Sequence, residues 1–341
     1  GDTSTLRLAK GQDFADGLQK GDSVAARSTF RTNGAISFLS ATSHFVFVGT
    51  ANGMLTIYRT KEDIFDQELQ LSKPFRTEMF SAAGGIVSVF VNPAGFTCCA
   101  ITTAGSAFAF SVHGGGTPME IASAEKQITC GCYVEHETQG GGPKVSAIVL
   151  GAKGTNLFLY DVVASQLKPL SVENESGEEF VVGVAELPTS SSTNVTAGGS
   201  LSPILFCFFL TDNQDPSEPD QTSWQMAGQL LANESKLKLS GGTCNEIYVE
   251  GSEFLQPDGA KPSTCYFERI AGWDALLVGH SAANETQLFT FDEGKGQVVC
   301  LRPPEGRNLG SPDTDSFVKG FSVLASYQSV QSRGTAQEPM E

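Results

Sequence analysis

The chain has 341 residues, 40% of them hydrophobic and 18% charged, with a formal net charge of −16. This composition belongs to a folded protein rather than a disordered or collagenous one. So acidic a surface repels phosphate, which argues against direct nucleic-acid binding and for a basic partner, and no run of about 18 apolar residues offers a membrane span.

In chain order, residues 1–33 are polar and Gly-rich and read as an N-terminal arm, irregular except for one strand near 6–8. A first group of strands is expected at 35–39, 44–49, 53–59 and 67–71, where Phe45-Val46-Phe47-Val48 shows the aromatic and β-branched enrichment of strands. A second group follows at 86–91, 96–102, 107–112 and 119–121, with the turn Asn92-Pro93-Ala94-Gly95 inside it. The third spans 128–170 and is split by Gly140-Gly141-Gly142-Pro143; its run 145–150 is almost continuously apolar, as an inner strand buried on both faces would be. A fourth covers 180–231: an apolar strand at 180–187, a Ser/Thr-rich insertion at 189–199, the very hydrophobic strand 203–210, an acidic stretch at 212–220 and an outer strand at 221–231. Residues 232–262 read as a connection with one strand at 247–249, and a fifth group lies at 264–270, 274–279, 287–291 and 297–301. A charged Pro/Gly loop spans 302–316, a further strand begins at 317–325, and 328–341 is a polar tail.

What unites these groups is one recurring string. Gly49-Thr50-Ala51-Asn52-Gly53 leads into Met54-Leu55-Thr56-Ile57-Tyr58, and the same step from apolar run to polar turn to alternating strand recurs from Thr102, Gly151 and Ser281. A strand–turn–strand unit repeated roughly every 40–50 residues is the pattern of β-propeller blades. The pattern alone yields five complete groups and the start of another. The expected architecture is therefore all-β: an arm at 1–33, a propeller over 34–327 and a tail at 328–341.

Catalytic and metal motifs were sought within this frame. His113-Gly114-Gly115-Gly116 has the composition of an oxyanion-hole run, but no Gly-x-Ser-x-Gly elbow accompanies it, so it reads as a turn between strands. Gly21-Asp22-Ser23 lacks the packed strand that an esterase nucleophile needs. The four histidines, His44, His113, His136 and His280, have no common ligand spacing, and the acidic stretch 212–220 lacks the Gly and final Glu of a calcium loop. None of the eight cysteines forms a Cys-x-x-Cys pair, most sit in apolar strands, and no secretion leader is evident, so all are expected to be reduced. No catalytic residue, metal or cofactor is assigned. Trp273-Asp274 precedes a second strand, whereas Tyr160-Asp161 ends a third strand, where propellers often carry a Trp-Asp pair.

The stretch 265–286, an aromatic strand followed by Trp273-Asp274, an apolar strand and the turn Ser281-Ala282-Ala283-Asn284-Glu285, resembles one family in particular. It is similar to the N-terminal β-propeller of the large cytoplasmic-filament FG-nucleoporin, the CAN nucleoporin family. The order continues with the Arg-bearing loop Glu305-Gly306-Arg307-Asn308-Leu309 and with Asp315-Ser316-Phe317-Val318-Lys319-Gly320. The resemblance is specific over 264–325 and collinear but weaker upstream. It implies a seven-bladed propeller, here with an incomplete or atypical last blade, that docks a DEAD-box mRNA-export helicase on the cytoplasmic face of the nuclear pore complex. It further implies that the partner surface is the basic face of the helicase's first RecA domain, that other nucleoporins are met through regions outside this chain, and that Arg307 and Asp315 are partner-binding residues. The competing expectations are a propeller scaffold of a membrane-trafficking or ubiquitin complex and a propeller hydrolase. The hydrolase would need paired carboxylates converging on the channel, which inner strands such as 145–150 do not offer.

Overall fold

A computed structural model describes residues 4–8, 28–42, 44–59, 74–92, 95–137, 144–153, 156–170, 179–187, 204–211, 223–233, 236–240, 265–270, 275–280, 287–292 and 297–301. Among them every regular element is a strand, apart from two short 3-10 turns. An N-terminal hairpin is formed by β1 (Thr5–Leu8) and β2 (Ser28–Arg31). Five four-stranded antiparallel sheets follow, each of four strands consecutive in sequence. The first is β3 (Ile36–Ala41), β4 (Phe45–Thr50), β5 (Met54–Arg59) and β6 (Arg76–Met79). The second is β7 (Ile86–Val91), β8 (Thr97–Thr102), β9 (Ala107–Ser111) and β10 (Met119–Ala122). The third is β11 (Ile128–Glu137), β12 (Lys144–Ala152), β13 (Leu157–Asp161) and β14 (Gln166–Leu170). The fourth is β15 (Glu179–Leu187), β16 (Ile204–Thr211), β17 (Ser223–Asn233) and β18 (Lys236–Ser240). The fifth is β19 (Cys265–Ile270), β20 (Ala275–His280), β21 (Gln287–Asp292) and β22 (Gln297–Leu301). The first strands of successive sheets lie side by side, which is the blade arrangement of a propeller.

Three expectations are corrected. The strand placed at 67–71 lies outside the described residues, and the outer strand of the first blade is β6, fixed by the register Met54↔Met79 to Ile57↔Arg76. Its sequence, Arg-Thr-Glu-Met, has no apolar alternation, so only the pairing reveals it. In the fourth blade, 223–233 is the third strand and not the outer one; the outer strand is β18, inside the stretch read as a connection. Lys236-Leu237-Lys238-Leu239 alternates well, but an isolated pair of apolar residues is a weak signal. The arm contains a two-stranded hairpin, because Thr5–Leu8 pairs with Ser28–Arg31 across a long sequence gap. The strand expected at 247–249 lies outside the described residues.

The recurring string is explained by how blades join. The turn between second and third strands grips the link to the next blade. Gly53 and Gly105 occupy this turn with φ of 83° and 85°, a backbone state that other residues rarely adopt. A Cβ on Gly53 would stand 2.6 Å from the Gly84 carbonyl oxygen, and one on Gly105 would stand 2.7 Å from Gln127 Cα. The Gly53 carbonyl accepts from Phe80 N–H and the Gly105 carbonyl from Ile128 N–H. From the other side, the turn of the following blade donates to the same link: Thr103 N–H to Gly85 O, and Lys153 N–H to Gln127 O. Each link is thus clamped between two turns, and the glycine recurs because the link leaves no room for a side chain.

The core lies between sheets. One apolar cluster joins the first two blades around Phe47, Leu55, Ile57, Ile86, Cys98 and Phe110; another joins the second and third around Cys99, Ile101, Ile148, Leu150, Tyr133 and Tyr160. Each fully buried large side chain contributes about 1.5–3 kcal/mol through its removal from water.

Candidate docking faces

Antiparallel alternation gives the propeller two faces. One carries the turns between second and third strands together with the inter-blade links. The other carries the turns between first and second strands and the loops between third and fourth. On the first face the polar groups are largely committed to the clamp. Thr50 Oγ1 bonds Asn52 and the Met54 carbonyl, Asn52 Nδ2 donates to Asn33 O at 2.8 Å, and Gly85 N–H donates to Thr103 Oγ1 at 3.0 Å. Arg307 and Asp315 follow β22 in sequence, where the links of earlier blades follow β6 and β10, and both lie outside the described residues.

On the opposite face the structure builds a feature that sequence reading missed. The His113-Gly114-Gly115-Gly116 run is the loop between β9 and β10, as its reading as a turn required. Its carbonyls turn inward onto Arg76 of β6. The guanidinium donates to Ser111 O and Gly114 O through Nη1, and to Gly116 O through Nη2 at 2.6 Å. Its Nε pairs with Glu78 at 2.6 Å, and its plane lies 4.9 Å from the Phe110 ring centre. An oxyanion hole needs converging N–H donors; this loop offers carbonyls to a cation, so it is a structural clasp. Beside it, the His113 ring meets Phe45 at 5.3 Å, Phe96 at 5.6 Å and Phe75 at 5.7 Å. Phe45 is buried, whereas Phe75 and Phe96 are 40% and 59% exposed. No sequence signal announced this clasp, because β6 has no apolar pattern of its own and the carbonyls it serves come from a different blade.

Among the described residues, the ionisable groups shifted by burial are thiols and phenols. Cys98, Cys99 and Cys130 are free thiols; the side chains of Cys207, Cys244, Cys265 and Cys300 lie outside the described residues. Burial pushes the Cys98 and Cys99 thiols well up, and Cys98 is raised further by its neighbour Cys99. Burial takes Cys130 up to about 12, against the opposing pull of the Thr129 hydroxyl and the Gly151 backbone. Such thiols are protonated and unreactive at neutral pH. Tyr133 is also raised, first by burial and then by the nearby Cys99. Asp161 behaves as a strand-end cap, with Oδ1 accepting from Val163 N–H and Ala164 N–H. His280 ends β20, and Trp273-Asp274 lies outside the described residues. Among the described residues no three His, Cys, Asp or Glu side chains gather as a metal site, and no helix is long and apolar enough to cross a membrane. Among the described residues, the exposed positions at the start of the first three inner strands, Ser37, Val87 and Thr129, carry no ionisable group.

No protein-family model matches the chain, and no curated protein matches it in sequence. Solved structures do match in fold. The chain is similar to the N-terminal domain of Nup159, with 12% identity and a TM-score of 0.58 over 96% of this chain and 80% of that one. The same figures hold for a structure of S. cerevisiae Dbp5 bound to Nup159, Gle1, IP6 and ADP. The WD40 domain of Toxoplasma gondii coronin matches with 11% identity and a TM-score of 0.50, over 79% of this chain and 58% of that one. This chain is an all-β propeller. The nucleoporin propeller that 264–325 resembles in sequence is thus also what the fold resembles.

Proposed function

We propose that this chain is a non-enzymatic docking domain of a nuclear pore protein, acting at the cytoplasmic face and binding a DEAD-box RNA helicase in mRNA export. The observation that carries the reading is the likeness to the Nup159 N-terminal domain over nearly the whole chain, in the same family that the motifs of 264–325 resemble. Nup159 has also been solved together with Dbp5. The charge of −16 supports a basic partner surface, the first RecA domain of the helicase, which RNA would contest. Five blades are described; the seven that the resemblance implies would need two more, drawing on the N-terminal hairpin and on residues outside the described ones.

Arg307 and Asp315 are the proposed contacts, with Arg307 the larger. A guanidinium forms a two-pronged pair with a carboxylate, and truncating one partner of a desolvated pair costs ~2–5 kcal/mol. Arg307→Glu is therefore expected to weaken helicase binding by at least about thirtyfold, since ~1.4 kcal/mol is tenfold. The measurement is calorimetry at low salt with a recombinant DEAD-box export helicase, followed by competition with RNA. Unchanged affinity of the folded variant removes the site assignment, and no binding by the unmutated chain removes the function.

A further inference from the structure

The loop between β9 and β10 has an inner and an outer edge. The carbonyls of Gly114 and Gly116 turn onto the Arg76 guanidinium, and Gly114 N–H donates to Ser111 Oγ. The peptide bonds of the described residues are trans, and in a trans peptide the N–H points opposite to the carbonyl that shares its plane. The N–H groups of Gly115 and Thr117 therefore point away from Arg76. Both residues are exposed, and neither N–H meets an acceptor among the described residues. Earlier in the loop the same geometry is satisfied from within: Ser111 O also turns onto Arg76, and the outward N–H of Val112 donates to Phe96 O.

A second observation concerns the glycines. Gly53 and Gly105 are required by the links they grip, whereas Gly115 and Gly116 have no left-handed φ and no atom within 4 Å of the place a Cβ would take. The fold does not demand them, and bare backbone here leaves the loop open to close approach from outside. A third concerns the surroundings. The exposed rings of Phe75 and Phe96 both touch His113. The charged groups described beside them are Arg59, exposed and paired in register with Phe45, and Arg76 with Glu78. In a chain of −16, the described residues of this patch carry an excess of positive charge.

We propose that this edge docks an extended acidic peptide of a partner protein. Backbone carbonyls of the peptide accept from Gly115 N–H and Thr117 N–H, as when a strand is added to an exposed sheet edge. Groups two residues apart point the same way in an extended chain, so the two donors meet alternate residues of the peptide. An aromatic side chain of the peptide lies against Phe75 and Phe96, and a carboxylate close to it faces Arg59. The backbone donors would accept any extended chain; the exposed rings and the local positive charge select an aromatic and acidic one. The site lies between the first two blades and does not depend on helicase binding.

The test is selection of a displayed library of random heptapeptides on the full chain, followed by fluorescence polarisation with the strongest binder. Enriched sequences are expected to hold Phe, Tyr or Trp close to Asp or Glu. Phe96→Ser, which changes an exposed side chain, should weaken that binder at least about tenfold, as loss of an aromatic anchor does. Gly115→Pro removes one donor and should weaken it at least about threefold, the share of one hydrogen bond. Val163→Ser, at an 81% exposed apolar position on the same face of the third blade, should leave it unchanged. Thermal melts matching the parent establish that each variant is folded; if Gly115→Pro melts lower, Thr117→Pro removes the other donor instead. No enrichment, enrichment of basic peptides, or a binder that the folded Phe96→Ser or donor variant leaves intact overturns the proposal.

Discussion

The joint between the first and second blades and the joint between the second and third share one backbone plan and differ in what fills them. The first is aromatic: Phe45, Phe47, Phe80 and Phe110 pack with Leu55, Ile57 and Ile86. Its polar chemistry is displaced to the rim, where Arg76 satisfies three carbonyls of the loop after β9. The second is aliphatic and small, with Ala107, Ala109 and Ala152 letting the sheets approach, but it buries the hydroxyls of Tyr133 and Tyr160. Neither hydroxyl has a hydrogen-bond partner among the described residues. A joint can therefore gain from aromatic area with polar groups kept at the edge, or from close sheet contact with polar groups left inside at a cost.

The sharpest way to break the first joint is Phe47→Ala. Phe47 is 1% exposed in the middle of β4, and truncating a buried Phe costs about 3–5 kcal/mol through lost transfer energy and the cavity left behind. Chemical denaturation should show that loss with the sheet signal intact in circular dichroism; a cost below about 1 kcal/mol would mean that the blades do not share this core. Arg76→Met tests the rim next. It keeps the stem over Phe110 but leaves Ser111 O, Gly114 O and Gly116 O to water, and Glu78 without its cation. Because the loop is exposed and its carbonyls can be rehydrated, the expected cost is about 1–3 kcal/mol. Limited proteolysis should cut at 113–117 in the variant and not in the parent.

The thiols sharpen the contrast through pH. Cys98 belongs to the aromatic joint and Cys99 to the aliphatic one. Both have folded-state pKa values above the ordinary 9.0, since burial disfavours the thiolate. A raised folded pKa means that stability is fully present below the unfolded value and is lost as pH rises toward the folded one. Unfolding free energy should thus stay level from pH 7 to 8 and fall above pH 9, by about 1.4 kcal/mol per pH unit for each thiol that ionises only on unfolding. Cys99→Ala should reduce that slope by one thiol's share, read from denaturation at pH 8 and 10; an unaltered slope would show that Cys99 is not held protonated.

How far the sequence reveals these joints depends on which forces write themselves locally. The five groups of strands were legible because inner strands such as Val145–Leu150 and turns such as Asn52-Gly53 carry their own chemistry. The outer strands β6 and β18 were not, because an edge strand is chosen by the hydrogen bonds of its neighbour and needs no apolar pattern of its own. The hairpin β1–β2 was half legible, since its second strand is Ser-Thr-Phe-Arg, 20 residues after the first. The Arg76 clasp was invisible for the same reason: it joins two blades 35–40 residues apart. Arg307 and Asp315 came from the family resemblance alone, as a charged loop has no periodicity to read.

The smallest expected effect probes the cost left inside the second joint. Tyr160 is 4% exposed on β13 and Tyr133 is 6% exposed on β11, the latter with its ring edge-on to Phe90 at 5.4 Å. A buried hydroxyl without a partner carries a desolvation penalty of about 1–3 kcal/mol, while the ring beneath it contributes its apolar area in full. Tyr160→Phe keeps the ring and removes the penalty, leaving only a small void where the oxygen was. The two terms nearly offset, so the variant should be between neutral and about 1 kcal/mol more stable. Truncation of the same residue to Ala, which loses the ring, should be strongly destabilising. If Tyr160→Phe instead costs more than about 1 kcal/mol in urea denaturation, the hydroxyl makes a net favourable bond, and the two joints are alike in keeping their polar groups satisfied.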